Sequence, residues 1–332
     1  MKLTKSDLAR KFITENPKIK SKKEIGRQLR KLYPKEFKND ECGRKIARYV
    51  TGSSGEYHRN EITSPKLQKF FYNGFEKWAE ENLNTELAPW DKPFIIPSSI
   101  KELSVIADLH SIHMDPKVMT KFLKQTKNKE AVCLNGDLSD SESLSRHMKS
   151  ASTIPYEQEM ELCHQILKGL KQEFNHVYFK EGNHDFWLER YLIHNARDAF
   201  KALGVGLKEI LKLGELGVHH IHNLKYISYG DLDIVHGHEF PGFGMGKFPS
   251  VGLLDKWQTF KHAYDVKILC SHSHRADHTI SRKSKDGKFG ESWVTPAFCR
   301  KNAGYAPFSG WDNGWATVTN TDGITDVKLI VV

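Results

Sequence analysis

Long apolar runs are missing from this sequence. No stretch approaches the roughly 18 consecutive apolar residues of a membrane helix, so no spanning segment is predicted. The first residues also lack the apolar core of a secretory signal. Cysteine is sparse and scattered. Cys42, Cys133, Cys163, Cys270 and Cys299 form no Cys-x-x-Cys pair, which argues against a zinc finger, and their odd number argues against a disulfide framework. Cys133 and Cys270 lie within apolar runs, where a free thiol packs as a small hydrophobe. These absences point to a reducing, cytoplasmic setting. Internal repeats and low-complexity tracts are absent too. Acidic residues are scarce in one region only. Residues 1–59 hold 17 Lys and Arg against 7 Asp and Glu, whereas the other 273 residues hold 33 against 34. The net charge of +9 therefore belongs to the first sixth of the chain. A basic segment on a neutral body suggests a polyanionic partner, most simply nucleic acid. The plainer reading is a solvated surface rich in lysine.

A length of 332 residues suits one large domain with an appendage, and 39% hydrophobic residues suffice for a core. Residues 1–55 read as three short helices. Ser6 is the expected cap of the first, with Leu8 and Phe12 facing inward. Ser21-Lys22-Lys23-Glu24 fits a capping box ahead of Ile25, Leu29 and Leu32. Asn39 or Asp40 caps the third, which places Cys42, Ile46 and Val50 inside. Pro17 and Pro34 fall between the helices, where proline belongs. Three short helices with a basic third resemble a helix-turn-helix. Arg44, Lys45 and Arg48 are then the candidate contacts to a groove or to phosphates; a helical cap with lysines in water is the equal alternative. Residues 56–100 read as a linker carrying an amphipathic helix over 65–83, followed by an extended approach marked by Pro89, Pro93 and Pro97.

From about residue 100 the pattern becomes strand, polar loop, helix. Leu103–Ala107 ends at Asp108-Leu109-His110. Ala131–Leu134 leads into Gly136-Asp137-Leu138-Ser139-Asp140, and Val177–Phe179 into Gly182-Asn183-His184-Asp185. Leu232–Val235 ends at His236-Gly237-His238, and Val266–Cys270 at Ser271-His272-Ser273-His274. Short apolar runs of this kind suit strands buried on both faces, and active sites gather at strand C-termini in open α/β sheets. Asp, Asn and His are oxygen and nitrogen donors, so five such clusters can hold two cations side by side. Asp277–Arg282, Ser292–Thr295, Ala316–Thr319 and Val327–Val332 read as further strands, which implies a mixed sheet or two stacked sheets.

This ordered series, over about residues 101–332, resembles the calcineurin-like metallophosphoesterase family. The resemblance implies an α/β fold, a four-layer α/β/β/α sandwich, to which the residue pattern adds a small all-helical N-terminal domain of helix-turn-helix-like character. The implied domains are 1–55, 56–100 as linker, and 101–332 as the catalytic part. It implies two divalent metal ions, manganese first, with iron or zinc as alternatives. Asp108, His110 and His274 would bind one metal, Asn183, His236 and His272 the other, and Asp137 would bridge both, with a hydroxide held between them attacking phosphorus in line. His184 would face the substrate, with Asp185 holding its ring. Asp140 either supports these groups or ends its turn. Arg146 and His238 are candidate substrate contacts, each with a plainer alternative as an exposed turn or a loop cap. His147 shares the reading of Arg146. The last motif begins with Ser271 where the family usually has glycine, a change tolerated unless that position needs a positive φ.

Other residues have plainer readings. His219, His220 and His222 lack an evident carboxylate and read as surface or strand positions. Trp311 and Trp315 read as packing at the domain edge, ahead of a role in a substrate groove. The expected function is a dinuclear-metal phosphoesterase acting on phosphate esters. The basic N-terminus tilts this toward a nucleic-acid or nucleotide phosphodiesterase or nuclease, with DNA or RNA as partner. The alternative is a protein or small-molecule phosphomonoesterase with the N-terminal domain as a docking module. The sequence carries no membrane signal and does not specify the oligomeric state.

Overall fold

The structure is a computed structural model that describes residues 3–51, 92–145, 153–242, 248–284, 286–301 and 309–332. The helix expected over 65–83, Arg146 and His147 lie outside the described residues. The chain divides into two compact units, Met1–Glu86 and Leu87–Val332.

In the first unit three helices pack together: α1 (Lys5–Glu15), α2 (Lys22–Leu32) and α3 (Asp40–Val50). Thr4 caps α1. Its side chain accepts the Asp7 N–H while the Asp7 carboxylate accepts the Thr4 N–H, so Ser6 falls inside the helix and is not its cap. Ser21 and Asn39 cap α2 and α3 through the N–H groups of Glu24 and Cys42. The core joins Leu8, Ala9, Phe12, Ile25, Leu29, Phe37, Ala47 and Val50. Cys42 and Ile46 are only partly buried and Leu32 is exposed. The reason lies at the crossing of α2 and α3, where a Cβ on Gly26 would fall 2.5 Å from the Asp40 carbonyl oxygen. Helices this close leave room for Gly43 and Ala47 at the inner positions and turn the larger residues aside. The connection over residues 33–39 is longer than the three- or four-residue turn of a helix-turn-helix.

The second unit contains two six-stranded mixed sheets. One runs in the order β1 (Phe94–Ile95), β6 (Ile227–Tyr229), β7 (Leu232–Ile234), β8 (Lys267–Cys270), β10 (Glu291–Val294), β9 (Asp277–Ile280). The other runs β12 (Ile324–Val331), β11 (Gly314–Thr321), β2 (Glu102–Ile106), β3 (Ala131–Asn135), β4 (His176–Lys180), β5 (His219–Ile221). Strands β2 to β5 are parallel, as are β7 and β8. Side-chain alternation assigns the layers. Leu103, Val105, Ala131 and Cys133 meet Ile227, Leu232, Ile234 and Leu269 between the sheets. Ile106, Val132, Leu134 and Phe179 face outward, under Val118 and Phe122 of α4 (Pro116–Gln125) and Cys163 and Leu167 of α5 (Tyr156–Glu173). Val235, Ile268 and Cys270 of the first sheet are covered by Leu253, Leu254 and Trp257 of α7 (Pro249–Lys261). A further long helix, α6 (Trp187–Leu203), follows the β4 loop. The four layers are thus helix, sheet, sheet, helix. Among the described residues no helix is long and apolar enough to cross a membrane.

Candidate metal centre

Each polar motif emerges within a few residues of a strand end: Asp108 and His110 after β2, Asp137 after β3, Asn183 after β4, His236 after β7, His272 and His274 after β8. Five of these seven candidate ligands have left-handed backbone: Asp108 (φ 52°), His110 (41°), Asp137 (54°), His272 (67°) and His274 (58°). Such residues cost about 1–3 kcal/mol each and cluster where function holds them. The left-handed turns fold the chain back over the strand ends, so that side chains from both sheets reach one place. Gly136 (φ 90°) and Gly182 make room for this approach. A Cβ on the first would fall 2.1 Å from His236 Nδ1, and one on the second 2.2 Å from Asp137 Oδ1.

The imidazoles are oriented by their far nitrogens. His236 Nδ1 pairs with the Asn135 carbonyl at 2.7 Å, which fixes its proton there and aims Nε2 at Asp137 Oδ2, 3.2 Å away. His110 Nδ1 pairs with Asp140 Oδ1 at 2.8 Å, and its Nε2 lies 3.8 Å from the same Asp137 oxygen. His274 Nε2 is 3.4 Å from Asp108 Oδ1, and Asp108 Oδ2 accepts the His272 N–H at 3.1 Å. Three groups bring their ligand atoms within 4.8 Å of one another: Asp108, His110 and His274; His110, Asp137 and His184; Asp137, His236 and His272. Asp137 belongs to two of them.

Cations fit this arrangement. The buried polar atoms without a hydrogen-bond partner include, besides others elsewhere in the described residues, Asp108 Oδ1, His110 Nε2, Asn183 Oδ1 and His236 Nε2. An unpaired buried polar atom costs about 1–3 kcal/mol, and all four belong to the candidate ligand set. The electrostatics agree. Burial works against charge on His236, yet the Asp137 carboxylate, with Asp108 and Glu239, lifts its pKa to about 10. His110 rises to about 9 against its burial, through Asp140, Asp137 and Asp108. Burial pushes Asp137 up, but the charges of His236, His184 and His110 outweigh it and hold the carboxyl well below the usual range. His272 goes the other way, held at about 4 by burial and by the charge of His236. The buried carboxylates Asp108 and Asp137 thus favour positive charge at His110 and His236.

A family model described as calcineurin-like phosphoesterase matches residues 103–276, just over half of the chain. The chain belongs to the calcineurin-like phosphoesterase family. Members of this family are hydrolases that act on phosphate esters and typically bind divalent metals. Solved structures similar to the chain include a metallophosphoesterase from Sphaerobacter thermophilus, 13% identical over 70% of this chain and 88% of that one, with a TM-score of 0.37. Vps29 from Chaetomium thermophilum is 12% identical over 70% and 97%, with a TM-score of 0.36. A protein serine/threonine phosphatase from Saccharomyces cerevisiae is 16% identical over 72% and 84%, with a TM-score of 0.33. No curated protein matches the chain.

Several expected partnerships of this phosphoesterase are rearranged. Asp185 does not hold the His184 ring. It is 1% exposed, and its oxygens accept the N–H groups of Gly182, Leu138 and Ser139 and the Ser139 hydroxyl. It therefore ties the β4 loop to the β3 loop; burial and the Asp137 charge raise its pKa to about 6. The His184 ring is held by Asp140 instead: Nδ1 lies 2.7 Å from the Asp140 carbonyl oxygen, and Trp187 stacks on it at 4.4 Å. Asp140 thus supports both His110 and His184. His238 is beside the site, its ring 5.3 Å from that of His236, and burial holds its pKa at about 4. Ser271 is not among the positive-φ residues, and its hydroxyl accepts from Asn135 Nδ2 at 2.8 Å and from the Thr295 hydroxyl at 2.9 Å. His220 and His222 do have carboxylates, Glu181 at 2.8 Å and Glu189 at 3.8 Å, contributed by the β4 end and α6. Trp315 is core, but Trp311 lies against the His274 ring at 4.3 Å. In the first unit, Lys45 and Arg48 are exposed on α3, while Arg44 pairs with Glu41 at 2.9 Å.

Sequence reasoning missed Glu159. This buried α5 carboxylate accepts the N–H groups of Asp140 and Ser141 and the Ser111 hydroxyl, and so fixes the loop that fixes two histidines. Its signal was a charged residue on the buried face of a helix, in step with Cys163, Leu167 and Leu170. Asn135 was also missed, though it directly precedes Gly136-Asp137.

Proposed function

We propose that this protein is a dinuclear-metal phosphoesterase that hydrolyses phosphodiesters of nucleotides or nucleic acids. Asp108, His110 and His274 would hold one cation, Asn183, His236 and His272 the other, and Asp137 both. The observation that carries this reading is Asp137 Oδ2, which lies 3.8 Å from His110 Nε2 and 3.2 Å from His236 Nε2, one histidine from each set. A carboxylate in that place offsets the repulsion of two dications. Bound cations, manganese first and iron or zinc as alternatives, would supply charge neutralisation on the phosphoryl oxygens and an activated water.

The chain's own residues complete the chemistry. His184 donates its Nδ1 proton to the Asp140 carbonyl, so Nε2 is the free atom, and its imidazolium form would hand the Nε2 proton to the leaving oxygen and return to neutral imidazole. His238, uncharged at neutral pH, offers a contact for a substrate oxygen beside the second set. Arg146, which follows the second motif in the sequence, would meet phosphate. The basic first unit would bring a polyanion to the enzyme, with Lys45 and Arg48 of α3 leading and Arg44 partly committed to Glu41. Five free thiols suit a reducing, cytoplasmic compartment.

The test uses purified protein with Mn²⁺ on bis-p-nitrophenyl phosphate and p-nitrophenyl phosphate. The diester should be the better substrate, and metal analysis should give two ions per chain. Strong preference for the monoester would replace the diesterase reading with a phosphomonoesterase whose N-terminal unit docks it.

A further inference from the structure

Lys180 is fully buried at the end of β4, in the sheet that carries Asn183. Lysine is almost never fully buried unless paired. Its Nζ lies 2.9 Å from Glu239 Oε1 and also donates to the carbonyls of Asn223 at 3.1 Å and Glu181 at 3.4 Å. Glu239 follows β7, in the other sheet. Its carboxylate accepts the backbone N–H groups of His236 and Gly237. One ion pair therefore joins the two sheets at the edge where the motifs emerge. Lys180 stands three residues before Asn183, and Glu239 three residues after His236. Both neighbours belong to the second ligand set. The first set is anchored by other groups: His110 by Asp140, Asp108 by the His272 N–H, and His274 by Cys299, whose sulfur is 3.7 Å from its Nδ1.

Stability alone does not call for such a pair, since apolar residues of similar size often hold a buried site equally well. What apolar residues cannot do is accept two backbone N–H groups and so place the His236 main chain. We infer that Lys180 and Glu239 are positioning residues for the second cation, setting the separation of Asn183 and His236 by locking the β4 end against the His236–Gly237 amides. This rests on the dinuclear reading. It assigns the pair to the second site, while the first set keeps anchors that do not involve Lys180 or Glu239.

The experiment is a calorimetric titration of Mn²⁺ into the metal-stripped full chain. Wild type should take up two ions. Lys180→Met and Glu239→Gln should each keep one ion at wild-type affinity and bind the other at least tenfold more weakly, the size seen when groups that orient metal ligands are removed. In a His236→Ala background, Lys180→Met should add no further loss. The double variant K180M/E239Q, which leaves no unpaired charge, should recover part of the loss. If a single variant fails to fold, Glu239→Asp, which keeps the charge and shortens its reach, carries the same expectation. Two ions bound by the variants with unchanged affinities would overturn the inference while the dinuclear reading stood, as would equal weakening of both sites. Failure of wild type to bind a pair would remove the reading and this inference with it.

Discussion

The strand-end cluster and the exposed face of α3 both carry charge, but their surroundings differ. Asp108, His110, Asp137 and His236 are at most 2% exposed, and each is held by a neighbour from a different strand end. Lys45 and Arg48 face water, and Arg44 is paired within its own helix. A buried charge must be matched by its surroundings, so the fold itself specifies what belongs there. An exposed charge is matched by solvent and by any nearby anion, so the fold leaves its partner open. The chemistry of the second unit is written in its packing, whereas that of the first is written only in its net charge.

The sharpest way to break the contrast is to empty the buried cluster. Asp137→Ala should abolish uptake of both ions and bring hydrolysis to background, because the variant loses the shared oxygen and leaves His110 and His236 facing each other. Metal analysis checks it, and retention of two ions would remove Asp137 from the bridging role. A smaller effect is expected from His184→Ala. Both ions should remain, since the contact of residue 184 with Asp137 is through its backbone N–H, while turnover slows by roughly 10²–10⁴ if the ring is the general acid. Equal activity of the variant would rule that role out.

Protons offer a third test. His236 and His110 hold theirs up to about 10 and 9, and a metal ligand must release its proton to bind. Below those values, raising the pH therefore favours the cation. Apparent Mn²⁺ affinity should climb by about tenfold per pH unit for each proton released, between pH 6 and 8. A flat profile would mean that the cation does not displace these protons. Lys45→Ala and Arg48→Ala should leave this profile unmoved.

The same contrast explains how much of the molecule could be read from its residues. The strands that carry the motifs were legible because short apolar runs stop at polar clusters, and their predicted and observed limits differ by few residues, whereas no strand limits were predicted for β1, β5 and β6. The seven candidate ligands stood out because Asp, Asn and His recur just past those runs. Their supports did not. Asp185 is adjacent to His184 in sequence, yet its partners are amides of residues 138 and 139, on another strand's loop. Glu159 and Lys180 belong to no motif, and their partners lie far along the chain; tertiary packing makes them buried anchors. The inner face of α3 was misread because a close helix crossing favours small residues over the larger apolar ones beside them. Local spacing reveals which residues leave a strand end, and long-range contacts decide which hold them.

The smallest effect belongs to the exposed region and tests whether its charge has a partner. If Lys45 and Arg48 each meet a phosphate, removing either releases one fewer counterion, and the slope of log affinity against log salt should fall by about 1 for each. Affinity at a fixed moderate salt should drop a few-fold, uniformly across sequences. Arg44→Ala should change the slope less, because Glu41 already neutralises part of its charge at 2.9 Å. Fluorescence anisotropy with a labelled oligonucleotide over a salt series gives the three slopes. Should all three variants match wild type, the α3 face is solvated surface, and any polyanion is held elsewhere. If Arg44 matters as much as Arg48, the Glu41 pair opens on binding, and the face adapts to its ligand.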